Sequence, residues 1–174
     1  MKWFACLLVG ATCIAFAHPA AAQMRPMSYA EVTVETTPTD AFSDWTTGKT
    51  VEAFFAPQAT IDPVPGGLYE LCFDVSAAEG ECGNDNGRVL ALEDGKMVSF
   101  TWAMPPYMAE IRPHRTVVQI RFTPVGDTQT RVQLFHTGYG DSDAWDKGRT
   151  YFDGVWPKVL QNYRDYKMLP PESE

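Results

Sequence analysis

The stretch from Asp141 to Lys167 constrains this chain most. Trp145, Tyr151, Phe152, Val155, Trp156, Val159, Leu160, Tyr163 and Tyr166 recur every three or four residues, the period of a helix with one apolar face. Asp146, Lys147, Asp153, Lys158, Gln161, Arg164 and Asp165 fall between them. Asp141 and Ser142 can cap the start, because a short side-chain oxygen accepts from a free N–H of the first turn. Pro157 has no N–H and its ring presses on the preceding turn, so a kink or a fresh start is expected near Trp156. A stripe this wide and aromatic needs a large concave partner, and almost everything upstream reads as strand.

The first residues read differently. Lys2, an apolar run from Trp3 to Ala17 and the small residues of Pro19-Ala20-Ala21-Ala22-Gln23 have the pattern of a signal peptide over residues 1–22, with cleavage between Ala22 and Gln23. The run is too short to span a bilayer, so a periplasmic or secreted protein is expected. Lipid attachment at Cys13 is the lesser alternative, since Gly10-Ala11-Thr12 makes a poor lipobox inside the apolar run. Removing residues 1–22 from the 174 leaves 152, enough for one domain over residues 23–168 with a loose acidic tail at 169–174. The net charge of −8 becomes −9 with the loss of Lys2. That acidity argues against nucleic acid and anionic lipid as partners, because both need a basic patch. No later stretch is apolar enough for membrane insertion.

Cys72 and Cys82 are left in the exported part, and two thiols ten positions apart in an oxidising setting suggest one disulfide around a local loop; two free thiols are the alternative. With His114 and His136 they lack the close ligand pairs of structural zinc sites, so no metal and no cofactor is expected. Gly83-Asn84-Asp85-Asn86-Gly87 tolerates positive φ and suits a hairpin connection. A calcium loop would need alternating ligands and a closing Glu that are missing here.

Along the chain, Ser28 to Thr36 alternates as a first strand, and Pro38, Thr39 and Asp40 open a short helix through Phe42 and Trp45. Thr47 and Gly48 break it, and Thr50 to Phe55 forms a second. Strands are expected at Ala59–Asp62, Leu68–Val75, Arg88–Leu92, Met97–Ala103, Arg115–Thr123 and Thr130–Thr137. In the second of these Tyr69, Leu71, Phe73 and Val75 share a face. Met104 to Pro113 is a proline-broken, methionine-rich loop suited to a lip or lid. The links between strands are too short for parallel crossovers. The sum is an α+β domain: an antiparallel sheet of about six or seven strands, two short helices after the first strand, and a long C-terminal helix that the sheet curls to cover.

Several segments together resemble a known family. Pro38-Thr39-Asp40-Ala41-Phe42-Ser43-Asp44-Trp45-Thr46, Phe54-Phe55-Ala56-Pro57, Pro65-Gly66-Gly67-Leu68-Tyr69, Gly87-Arg88-Val89-Leu90 and Val98-Ser99-Phe100-Thr101-Trp102 lead the match. Thr116-Val117-Val118, Phe122-Thr123-Pro124, His136-Thr137-Gly138-Tyr139 and Gly154-Val155-Trp156-Pro157 complete it. In this order they are similar to the helix-grip (SRPBCC, START and birch-pollen-allergen) superfamily, and within it to the relatives of the activator of Hsp90 ATPase (AHSA1-like). The resemblance implies a helix-grip fold with a cavity between sheet and helix. That superfamily includes lipid and sterol carriers, hormone receptors, cyclases and hydrolases. Two departures stand out: Val155 separates Gly154 from Trp156, and an exported chain would not meet cytosolic Hsp90.

No Gly-rich phosphate loop, Gly-x-Ser-x-Gly elbow or His-Glu-x-x-His motif is present. His136, on the face of Val132 and Leu134, is the best single candidate for an acid or base, but with no paired nucleophile in evidence a hydrogen-bonded core histidine that fixes the strand-to-helix turn is the favoured reading. Tyr69, Phe73, Phe100, Trp102, Phe122, Trp145, Phe152 and Trp156 are expected to face the space between sheet and helix, filling a core or lining a cavity with His136, Tyr139 and Tyr151 as its polar groups. Glu70 and Arg121 fall on the outer face and could pair. A small apolar or aromatic molecule is the expected partner, with an enzyme of the cyclase or hydrolase type, or a protein-binding module, as alternatives.

Overall fold

A computed structural model of the protein describes residues 26–169. The expected signal peptide, Cys13 and residues 170–174 of the expected tail lie outside the described residues. Strand β1 (Ser28–Glu35) buries Ser28, Ala30 and Val34 and exposes their neighbours, the alternation of a half-covered sheet. Helix α1 (Pro38–Thr46) is capped by Thr37 rather than by Thr39 or Asp40: its Oγ1 accepts from Asp40 N–H at 3.1 Å, and Pro38 fits the first turn, where no N–H is needed. Thr47 closes α1 and opens α2 (Gly48–Phe54). Gly48 therefore begins the second helix; a Cβ there would lie 2.7 Å from the Ala59 carbonyl oxygen, so only glycine lets α2 pack on the next strand.

Five strands form one antiparallel sheet in the order β1-β7-β6-β5-β4, from β4 (Val89–Glu93), β5 (Met97–Trp102), β6 (Thr116–Val125) and β7 (Gln129–Thr137). The other two, β2 (Gln58–Ile61) and β3 (Tyr69–Cys72), pair separately. The seven strands thus split five and two, and a bridge from Leu68 to Arg88 joins β3 to the β4 edge. Strand β6 runs past Thr123 through Pro124, beyond the point where β5 begins, with Met97 opposite Arg121. Phe122 donates to Lys96 on the β5 side, so position 124, two residues on, faces that same side beyond the start of β5 and no bond is lost to the proline. Glu70 accepts from Asn86 N–H and Arg121 donates to Gln119; the two do not pair.

Strand β3 is shorter than the alternation of Leu68–Val75 suggests. After Cys72 the chain turns away, held by a Cys72–Gly83 bridge and by Phe73 N–H donating to Cys82, and Phe73 and Val75 stand 42% and 64% exposed. Cys72 and Cys82 are joined, with Cα atoms 4.7 Å apart.

Helix α3 (Asp143–Lys167) is one continuous element of 25 residues packed on β1 and α2. Pro157 does not divide it. That residue and Asp153, whose carbonyl loses its partner, are both exposed, so water can take the missing bond's place. Ser142 occupies the N-cap without a side-chain bond, and the first turn carries Asp143 and Asp146, which suit the positive end of the helix dipole. At the far end Tyr163 and Lys167 both donate to Asp44, at 2.8 and 2.9 Å, fastening α3 to α1. The core lies between the five-stranded sheet and these helices, with Val98, Phe100, Val118, Ile120, Val132 and Leu134 buried on the inner face.

Candidate functional site

Two features sit beneath α3: a sealed polar network and an open apolar cavity. The network is centred on His136, placed by the sheet register opposite both Ser28 and Val118. Its Nε2 lies 2.7 Å from Thr116 Oγ1, and Nδ1 lies 2.7 Å from the Tyr139 hydroxyl and 3.1 Å from Trp156 Nε1. An indole N–H only donates, so Nδ1 is the acceptor and the proton of the neutral ring is on Nε2. Nε2–H then donates to Thr116, whose hydroxyl donates to the Trp102 carbonyl at 3.2 Å. The Tyr139 hydroxyl donates to Nδ1 and accepts from Ser28, 3.0 Å away. Burial disfavours the charged ring and holds the His136 pKa down at about 3, and burial raises the Tyr139 phenol well above its ordinary value. Both ring nitrogens are engaged, none of the ring is exposed, and it carries no charge at neutral pH.

The cavity, of about 670 Å³, opens beside this network without including it. One wall is the α3 face of Tyr151, Phe152, Val155 and Val159, and the opposite wall is the disulfide loop from Phe73 to Gly83. Phe55 from the end of α2 and Trp102 from the end of β5 form the floor, their rings stacked at 5.8 Å, and Pro105, Pro106 and Tyr107 form a lip. Tyr107 and Tyr151 meet edge to face at 6.2 Å across its mouth. A larger depression of about 870 Å³ at the start of α3 is shallow, with a more polar lining that includes Glu110, Asp143 and Lys147.

Two polar fastenings hold the loops that shape the cavity. Asn84 is fully buried: Nδ2 donates to the carbonyls of Tyr69 and Thr101, at 2.8 and 3.0 Å, and Oδ1 accepts from Ala103 N–H at 2.9 Å. All of its side-chain demand is met by the backbone of β3, β5 and the start of the lip. Arg112 crosses from the lip to the disulfide loop, pairing with Asp85 at 2.8 Å and donating to Gly80 at 2.6 Å and to the Met104 carbonyl. Gly148 on α3 lets this loop lie close, since a Cβ there would be 3.0 Å from Ile111 Cδ1.

Of the residues singled out in the sequence, Phe73, Trp102, Tyr151 and Phe152 stand in the cavity wall. Tyr69, Phe100, Phe122, His136 and Trp156 do not; they are packed into the core. Tyr69 stacks on Phe100 at 3.7 Å and donates to the Trp45 carbonyl, while Phe122 meets Phe42 edge to face at 6.0 Å. Trp145 lies against Tyr139 and His114 at the start of α3. Phe55, Val155, Val159 and the loop residues Asp74, Ala77 and Glu81 belong to the wall without having been singled out. Helical spacing could have pointed to Val155 and Val159, which share the stripe of Phe152. Among the described residues no cluster of His, Cys, Asp and Glu could hold a metal, and no helix is long and apolar enough to cross a membrane.

The fold is shared with solved structures. A Mesorhizobium loti protein is 18% identical, with a TM-score of 0.64 over 80% of this chain and 95% of its own. The Aha1 dimer from Colwellia psychrerythraea is 16% identical, with a TM-score of 0.64 over 83% of this chain and 97% of its own. An HSP90 activator from Plasmodium falciparum is 19% identical, with a TM-score of 0.60 over 82% and 98%. Likeness at this level establishes the fold. No curated protein matches the sequence. Residues 35–166 match the family described as activator of Hsp90 ATPase homolog 1-like protein, which takes in both fastened loops, the sealed histidine and the cavity, and the chain belongs to that family.

Proposed function

We propose that this protein is exported and binds a small apolar, ring-containing molecule in the cavity between α3 and the disulfide loop. The observation that carries the reading is the wall itself: Phe55, Phe73, Trp102 and Phe152 surround a space of about 670 Å³, within the range of small-molecule sites. Aromatic side chains left facing a void forgo contacts that a ligand would restore. Export is supported by the signal-like sequence of residues 1–22 and by the paired cysteines, which suit an oxidising compartment.

Binding without chemistry is favoured over a cyclase or hydrolase reading because His136 is turned away from the cavity with both nitrogens occupied. The ionisable residues of the wall, Asp74, Glu81, Tyr107 and Tyr151, stand toward solvent. The Plasmodium relative is described as an HSP90 activator. That role is not carried over, since an exported chain would be separated from a cytosolic chaperone. Native mass spectrometry of protein purified from its own cell envelope tests the proposal. A retained small molecule, released on denaturation, supports it; a mass equal to the bare chain from several preparations, with no uptake of added apolar dyes, overturns it.

A further inference from the structure

The charge around the cavity narrows the kind of molecule it would hold. Two carboxylates, Asp74 and Glu81, stand on the disulfide-loop wall, and no Lys or Arg is in the lining. Asp74 is kept in its charged form, its pKa lowered by the Ser76 hydroxyl and N–H that donate to Oδ1 at 2.6 and 2.9 Å. The nearby cation, Arg112, is already committed to Asp85 and to the carbonyls of Gly80 and Met104. An anion entering here meets like charge with no counter-charge free to offset it.

We infer that the cavity selects neutral or cationic ring compounds and discriminates against carboxylates and other anions. The inference rests on the ligand-binding reading above and adds the ligand's charge to it. Fatty acids and aromatic acids are thereby disfavoured, and uncharged aromatic rings and amines favoured.

One matched pair of probes tests it on the exported form of the protein. N-phenyl-1-naphthylamine and its sulfonate, 8-anilino-1-naphthalenesulfonate, share a ring system and differ in charge. At low salt the neutral probe should bind about tenfold tighter, with the gap narrowing as salt is raised and in the double variant Asp74→Asn, Glu81→Gln. Both residues are exposed, so the variant keeps its fold. Equal binding of the two fluorescent probes, or a gap that ignores both salt and the double variant, overturns the inference while leaving the cavity reading in place. Binding of neither fluorescent probe overturns both.

Discussion

Trp156 donates its indole N–H to Nδ1 of His136 at 3.1 Å, and this one bond decides what the histidine does. It forces the neutral tautomer protonated on Nε2, commits that proton to Thr116, and joins α3 to β6 and β7 through a single ring. The residue that looked most like an acid or base from the sequence is a structural junction between helix and sheet.

That junction predicts a pH dependence of stability. In the unfolded chain His136 takes a proton near pH 6.5, whereas in the fold burial holds its pKa down at about 3. The unfolded state therefore binds more protons in this window, so the contribution is full above about pH 6.5 and is lost as pH falls toward about 3. A loss on the order of a few kcal/mol is expected in urea melts, and His136→Leu should be weaker at pH 7 but with a shallower slope through this window. Parallel slopes for variant and wild type would remove His136 from the account. Nitrogen chemical shifts should also show an unprotonated Nδ1 at pH 5.

Joining Cys72 to Cys82 does two things at once, since the loop they close is also a wall of the cavity. A denaturing thiol assay should find neither sulfhydryl free. Cys72→Ser should lower stability by roughly 2–3 kcal/mol on the chain-entropy view. It should also weaken binding of N-phenyl-1-naphthylamine several-fold, which a disulfide serving stability alone would not do.

Asn84→Ala should be among the costliest single changes in the protein. It strands the carbonyls of Tyr69 and Thr101 and the N–H of Ala103, in a place closed to water. Each stranded group costs about 1–3 kcal/mol, so a total near 3 kcal/mol or more is expected in chemical denaturation. A change below 1 kcal/mol would mean that the loop repacks around the gap.

Core and cavity wall should separate cleanly by truncation. Phe100 is fully buried against Tyr69, so Phe100→Ala should cost about 3–5 kcal/mol and leave probe affinity in the folded fraction nearly intact. Tyr151 is 39% exposed at the cavity mouth, so Tyr151→Ala should cost under about 1 kcal/mol while weakening the probe clearly. The reverse pattern would place the ligand elsewhere.

Export is checked by mass. The protein recovered from the envelope or medium should begin at Gln23, and an intact Met1 or a lipid on Cys13 would contradict the location proposed above.

The elements themselves were legible in the sequence because their periods are local. The aromatic stripe of Phe152, Trp156, Val159, Leu160 and Tyr163 names α3 and its buried face, and the alternation of Val118, Ile120 and Phe122 does the same for β6. The order of short helices and strands, and the spacing of Cys72 and Cys82, were equally readable. Periodicity separates inward from outward but does not divide the inward side into core and cavity. That division was made by contacts far apart in the chain. Cys72 pairing with Cys82 turned Phe73 off its strand and into the wall, and Asn84 and Arg112 drew the disulfide loop and the lip together over Trp102 and Phe55. The same kind of contact settled His136: nothing near it in sequence shows that Trp156, twenty residues on, will supply the N–H that joins Tyr139 at Nδ1 and fixes the tautomer. Local spacing decided which residues turn inward, and the meeting of distant loops decided which of them were left a space to face.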